Sequence, residues 1–221
     1  MAVIKVMDEL LANKIAAGEV VERCSSVVKE LVENSIDAGA NEIKVELTDA
    51  GTKEIKITDN GKGMDKDDAV LAFSRHATSK IRCEDDLYHI ETLGFRGEAL
   101  AAICSVSNVT LKTSTGEVGT IVEISGGKIL EVKPSDSKKG TSISVRNLFY
   151  NTPARLKHMK SLYTELANVT EYINKLSLSH PDIRFTLINN GNILVVDELD
   201  ASIHPMAIMN IIKIFHNDEI N

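Results

Sequence analysis

The run Lys29-Glu30-Leu31-Val32-Glu33-Asn34-Ser35-Ile36-Asp37-Ala38-Gly39 decides how this chain folds. At about 100° per residue, Val28, Leu31, Val32 and Ile36 fall on one arc of a helix, and Glu30, Asn34 and Asp37 on the opposite one. Glu30 and Asn34 stand at i and i+4, so their side chains stack one above the other. Gly39 ends the helix as a left-handed cap residue does. A carboxylate beside an amide oxygen suits one task, activating a water while holding Mg²⁺ next to it. Alone, the pattern better fits a core helix with a solvated polar face, and the surrounding sequence has to decide between them.

Outward from this helix, placed at 25–38, the chain reads as a short amphipathic helix at 8–17 and strands at 41–48 and 53–58, where Ile43, Val45, Leu47, Ile55 and Ile57 alternate. A short helix is expected at 66–73 and a long segment of little regular pattern at 74–96. A helix follows over 97–105, then strands at 106–113, 119–125, 128–132 and 141–147, with Gly126-Gly127 as a hairpin turn. Residues 154–179 read as one long helix stopped by Pro181, and 183–188 as a strand. This layout predicts an α+β fold, a two-layer α/β sandwich with a mixed, mostly antiparallel sheet and helices on one face.

Three further elements bear chemistry. Asp59-Asn60-Gly61-Lys62-Gly63-Met64 follows a strand. A carboxylate at a strand end can accept a hydrogen bond from a base amino group, and Gly61 and Gly63 let backbone approach a flat ring. Thr78-Ser79-Lys80 offers two hydroxyls and a cation within the long segment. Leu93-Gly94-Phe95-Arg96-Gly97-Glu98 opens a helix whose first amides suit an anion such as a triphosphate. Taken singly these read as a turn, a polar surface loop and an ordinary helix start. No GxxxxGK[ST] is present, since Lys62 and Lys128 follow a glycine but lack the hydroxyl residue, so any nucleotide site rests on other elements.

The bulk properties narrow the class. The 221 residues are 43% hydrophobic and 26% charged, a globular composition, with 4% aromatics and no Trp, so aliphatic side chains fill the core. A net charge of −7 argues against a dedicated nucleic-acid binder. Cys24, Cys83 and Cys104 are widely spaced without a CxxC, which suits reduced thiols in the cytoplasm rather than a disulfide or zinc framework. The sequence carries no signal-peptide pattern at its start and no run of 18 apolar residues, so a membrane span is not expected.

Together and in this order, the four elements resemble the GHKL, or Bergerat-fold, ATPases, and more narrowly the N-terminal ATPase domains of the MutL family of mismatch-repair proteins. Ile15–Val21, Arg75–Lys80, Gly94–Leu100 and Asn147-Leu148-Phe149-Tyr150-Asn151-Thr152-Pro153-Ala154-Arg155 carry the likeness further, over roughly residues 1–192. The resemblance implies ATP and Mg²⁺ as cofactors. It implies Glu30 as the general base and Asn34 as the metal ligand, with Asp37 in support. Asp59 would take the adenine amino group, with Gly61, Gly63, Met64 and Thr141 around the ring. Thr78, Ser79, Lys80 and Leu93, Gly94, Phe95, Arg96, Gly97 and Glu98 would lie over the phosphates. It further implies an ATP-dependent homodimer, and DNA and a mismatch-recognition protein as partners; slow hydrolysis is expected because the lysine that a second domain supplies in the family is not present. Lys157, His158 and Lys160 make only a small basic cluster. A departure stands at Cys24, where the family usually has Pro.

The end of the chain follows a different pattern. On this reading residues 1–181 form the ATPase domain and 182–192 the first strand of a second, transducer-like domain, which in the family supplies a lysine to the γ-phosphate. Residues 193–221 then resemble the Walker B strand and following helix of ABC-like ATPases, with Asp197-Glu198 ending the strand. A fused fragment and a divergent strand–helix cap both fit, the former better. Ile208, Ile211, Ile212 and Phe215 form an apolar stripe there.

Overall fold

In the computed structural model the described residues are Met7, Ile15, Ala17, Gly18, residues 20–80, Asp86, Leu93, Gly94 and residues 97–197. The expected helix over 8–17 falls largely outside them, as do Phe95, Arg96 and residues 198–221 with the second part of the Walker B-like pattern.

The order is α1 (Cys24–Asp37), β1 (Glu42–Thr48), a 3-10 turn (Asp49–Gly51), β2 (Glu54–Asp59), α2 (Lys66–Leu71), α3 (Ala99–Ser105), β3 (Asn108–Ser114), β4 (Gly119–Ser125), β5 (Lys128–Ser135), β6 (Gly140–Arg146), α4 (Pro153–His158), α5 (Leu162–Ser179), β7 (Arg184–Asn189) and β8 (Asn192–Asp197). All eight strands form one sheet, β5-β4-β3-β6-β2-β1-β7-β8. Every neighbouring pair is antiparallel except β1 with β7, where Ile43 stands beside Phe185. The expected fold class is therefore observed.

Alternation decides which face is buried. Ile43, Val45 and Leu47 of β1 and Ile55 and Ile57 of β2 point inward. They meet Val27, Val28, Leu31 and Val32 of α1, and Val169 and Ile173 of α5 complete the layer. The other sheet face is polar, with Lys44 and Lys56 both paired to Glu46 at 2.9 and 3.1 Å. Helix α1 thus lies across β1 and β2 with its apolar stripe on the sheet, and α5 packs beside it.

Two boundaries differ from expectation. The stretch 154–179 is two helices, because Met159 is extended and Ser161 starts a new helix by accepting the Thr164 amide at 3.2 Å. Strand β5 runs past 132 through Pro134, which an edge strand tolerates because the missing amide has no ladder partner to lose. Strands β7 and β8, assigned above to the second unit and to the tail, are hydrogen-bonded into the same sheet, with Leu187 opposite Val195.

Candidate nucleotide site

Helix α1 is the shared wall of two clusters. The first gathers at the end of β2. Asp59 is 9% exposed. Its Oδ1 accepts the Gly61 amide at 2.9 Å and the Thr141 amide at 3.2 Å, and its Oδ2 accepts the Ser35 hydroxyl at 2.9 Å. Burial pushes its carboxyl above the ordinary aspartate range, against the pull of these three donors. Thr113 of β3 ties in the neighbouring turn, accepting the Met64 amide at 2.9 Å and meeting the Thr141 hydroxyl at 3.1 Å.

Gly63 holds φ +69°, and a Cβ there would stand 1.9 Å from the Ser114 carbonyl oxygen. The glycine is therefore required by the approach of the turn to β3, a reason separate from ring access. At Gly61 a Cβ would crowd Ala38 at the end of α1, at 2.9 Å from its Cβ. The Asp59 turn is thus packed against the C-terminus of α1.

The second cluster lies on the last turns of α1. Lys80 Nζ donates to Asn34 Oδ1 at 3.0 Å and to Asp37 Oδ2 at 2.5 Å. Asp37, with a side chain only 7% exposed, also accepts the Leu93 and Gly94 amides at 3.1 and 3.2 Å. Thr78 Oγ1 accepts the Lys80 amide at 3.2 Å, while Ser79 is exposed. Gly97, at φ +62°, would place a Cβ 2.5 Å from the Ala77 carbonyl oxygen, and Glu98 reaches Arg75 at 3.9 Å and His76 at 3.5 Å. The segments 75–80 and 93–98, far apart in sequence, therefore meet beside α1 in their described residues.

Glu30 is half-buried on α1, one turn before Asn34. Glu33 turns toward α5, where it accepts the Tyr172 hydroxyl at 3.1 Å. Burial first, and the Glu33 charge second, push the Tyr172 phenol far above its usual range.

The donor chemistry fits a divalent cation at Asn34 and Asp37. An amide oxygen and a carboxylate oxygen already share one cation, the Lys80 ammonium, and hard oxygen ligands are what Mg²⁺ takes. Among the described residues no group of three His, Cys, Asp or Glu gathers as a metal site.

The structure thus brings together Asp59, Gly61, Gly63, Met64 and Thr141 in one cluster, and Asn34, Asp37, Lys80, Leu93 and Gly94 in the other. Sequence reasoning missed Ser35 and Thr113. Ser35 had a signal, since it is a hydroxyl on the apolar side of α1 one turn after Leu31, and both its hydrogen-bond partners, Leu31 O and Asp59, are internal.

A family model described as histidine kinase-, DNA gyrase B-, and HSP90-like ATPase matches residues 22–152. Two relatives called DNA mismatch repair protein MutL, from Staphylococcus aureus strains Newman and JH1, are each 53% identical over 216 residues, covering 94% of this chain. The chain spans 32% of the length of these relatives. Among solved structures, the Aquifex aeolicus MutL ATPase domain complexed with ADP aligns at 31% identity and TM-score 0.69 over 82% of this chain and 66% of that one. The N-terminal domain of a DNA repair protein aligns at 30% and 0.72 over 84% and 56%.

Proposed function

Because this chain belongs to the histidine kinase-, DNA gyrase B- and HSP90-like ATPases, we propose that it binds Mg-ATP across the two clusters and hydrolyses it slowly, as the ATPase unit of a MutL-type mismatch-repair protein. The observation that carries this reading is the grouping on α1. Glu30, Asn34 and Ser35 lie within little more than one helical turn, and Ser35 is hydrogen-bonded to Asp59. A water-activating carboxylate, a metal ligand and a base-binding carboxylate are thereby held in one rigid unit.

Each residue has a task. Asp59 keeps acceptor capacity beyond its three donors and takes the adenine amino group, with the Gly61–Met64 turn and Thr141 shaping the ring pocket. Asn34 holds Mg²⁺, with Asp37 beside it, and Mg²⁺ when bound offsets charge on the phosphates. Thr78, Ser79, Lys80 and the 93–98 segment, including Phe95 and Arg96, contact the phosphates, with the Lys80 ammonium 3.0 Å from Asn34 Oδ1. Glu30 accepts a proton from the water whose oxygen bonds the γ-phosphorus in line, while the bond to the β–γ bridging oxygen breaks and ADP leaves.

The 53% identity to MutL relatives supports the mismatch-repair setting, and the ADP-bound Aquifex aeolicus neighbour supports a nucleotide in this pocket. On the same reading the chain works in the cytoplasm, dimerises when ATP is bound, and meets DNA and a mismatch-recognition protein. No helix among the described residues is long and apolar enough to cross a membrane. The basic side chains Lys157 and His158 are exposed at the end of α4, and DNA contact there would weaken steeply with salt.

Calorimetric titration with ATP and Mg²⁺ tests the proposal. Saturable binding by the wild-type chain, lost in Asp59→Asn, is expected, together with phosphate release. Binding without phosphate release would instead make the chain a nucleotide-dependent interaction module, and no binding would end the proposal.

A further inference from the structure

Lys80 occupies a place that its motif does not explain. Its ammonium lies between Asn34 Oδ1 and Asp37 Oδ2, at 3.0 and 2.5 Å, with only 18% of the side chain exposed. Gly94 closes the other side, since a Cβ there would stand 3.3 Å from Nζ and 3.8 Å from Asn34 Oδ1. The amide oxygen proposed above as the metal ligand is therefore already spent on a cation that belongs to the chain.

A divalent ion needs its oxygens at about 2.0–2.6 Å. It cannot share these two oxygens with an ammonium in the same small space, because the two cations would repel at contact distance in a half-buried setting. Occupation by Lys80 and by metal is mutually exclusive. A polyphosphate removes the conflict, since it offers the ammonium several anionic oxygens in place of one carboxylate. Asp37 meanwhile keeps the Leu93 amide on Oδ1 and the Gly94 amide on Oδ2, the oxygen that Lys80 leaves.

We infer that Lys80 is a tethered cation that keeps divalent metal off the Asn34–Asp37 pair until a nucleotide's phosphates draw its ammonium away, so that metal enters only with nucleotide. The inference rests on the reading of this site as a Mg-ATP site and adds its order of filling. The chemistry is an exchange of one ion pair for two, with no covalent step.

The test is Mn²⁺ binding by the full chain in the absence of nucleotide, read by the loss of the free-ion electron paramagnetic resonance signal. The wild type should take up no Mn²⁺ at this site in the low millimolar range. Lys80→Met should bind one Mn²⁺ at least tenfold more tightly, and adding Asn34→Ala to it should abolish that gain. Lys80→Gln serves the same purpose if the Met variant does not give a cooperative melt. Addition of ADP to the wild type should allow Mn²⁺ uptake beyond that of the same ADP without protein, since ADP itself binds the ion. Equal Mn²⁺ affinity in the wild type and the folded Lys80 variants would overturn the inference, even with ADP bound normally. Failure of the wild type to bind ADP at all would instead remove the nucleotide reading, whatever the Mn²⁺ result.

Discussion

Ser35 Oγ donates to Asp59 Oδ2 at 2.9 Å, joining the helix of Glu30 and Asn34 to the end of β2. This contact also favours the charged form of a carboxyl whose pKa burial raises. Ser35→Ala should cost about 1–2 kcal/mol of stability, since it withdraws a donor from a buried acceptor. It should also raise the Asp59 pKa further, seen as nucleotide affinity failing at a higher pH.

The sign for Asp59 itself follows from its raised pKa. The native state holds the proton more tightly than the unfolded chain. The group's contribution to stability is therefore full below the ordinary aspartate value and is lost as pH rises through the folded value. In melting curves across this window, Asp59→Asn should gain on the wild type as pH rises. Nucleotide affinity should move the other way in the wild type, falling as acid protonates the carboxylate that accepts the adenine amino group. A wild-type affinity that stays flat down through the ordinary aspartate range would contradict the assignment.

Tyr172 and Glu33 tie α5 to α1 behind the site. The phenol is raised by burial and by the Glu33 charge, so its share of stability is complete below about pH 10 and is lost as pH climbs through the folded value. Tyr172→Phe should cost about 1 kcal/mol near neutral pH. In an absorbance titration, the wild-type minus Tyr172→Phe difference should show phenolate only above the usual tyrosine range. A difference centred at the ordinary tyrosine value would remove the contact from the account.

Cys24 is the first residue of α1, and Arg23 before it is extended at φ −155° and ψ 176°, the conformation a following proline requires. Cys24→Pro should therefore be accepted and should stabilise the chain by about 0.4–1 kcal/mol through the unfolded state. It also removes a thiol pushed up to about 12 by burial and by the charge of Glu165. A lowered melting temperature would mean that the buried thiol's packing outweighs the stiffer start of the helix.

Much of this was legible in the sequence because the decisive features are local. The 100° spacing of Val28, Leu31 and Val32 fixes which side of α1 is buried, and strand alternation does the same for β1 and β2. The pairing of Asp59 with Thr141 was reachable only through family resemblance, because 82 residues separate them and only the β2–β6 register brings them together. Ser35 and Thr113 escaped notice because a lone hydroxyl on an apolar face is ordinary until its partner is known. The break at Met159–Ser161 was hidden by a helical pattern that continues across it. A second reason for Gly63 was hidden, since its positive φ and the nearby Ser114 carbonyl oxygen are matters of backbone path rather than pattern.

The central claim is that Glu30 activates water for ATP hydrolysis while Asn34 and Asp59 hold the nucleotide. The measurement that tests it most directly is phosphate release by Glu30→Ala at saturating Mg-ATP, with ATP affinity measured on the same protein. Hydrolysis should fall by about 10²–10⁴-fold, the usual contribution of a positioned general base, while affinity stays within a few-fold of the wild type. Hydrolysis that persists unchanged in Glu30→Ala would contradict the account.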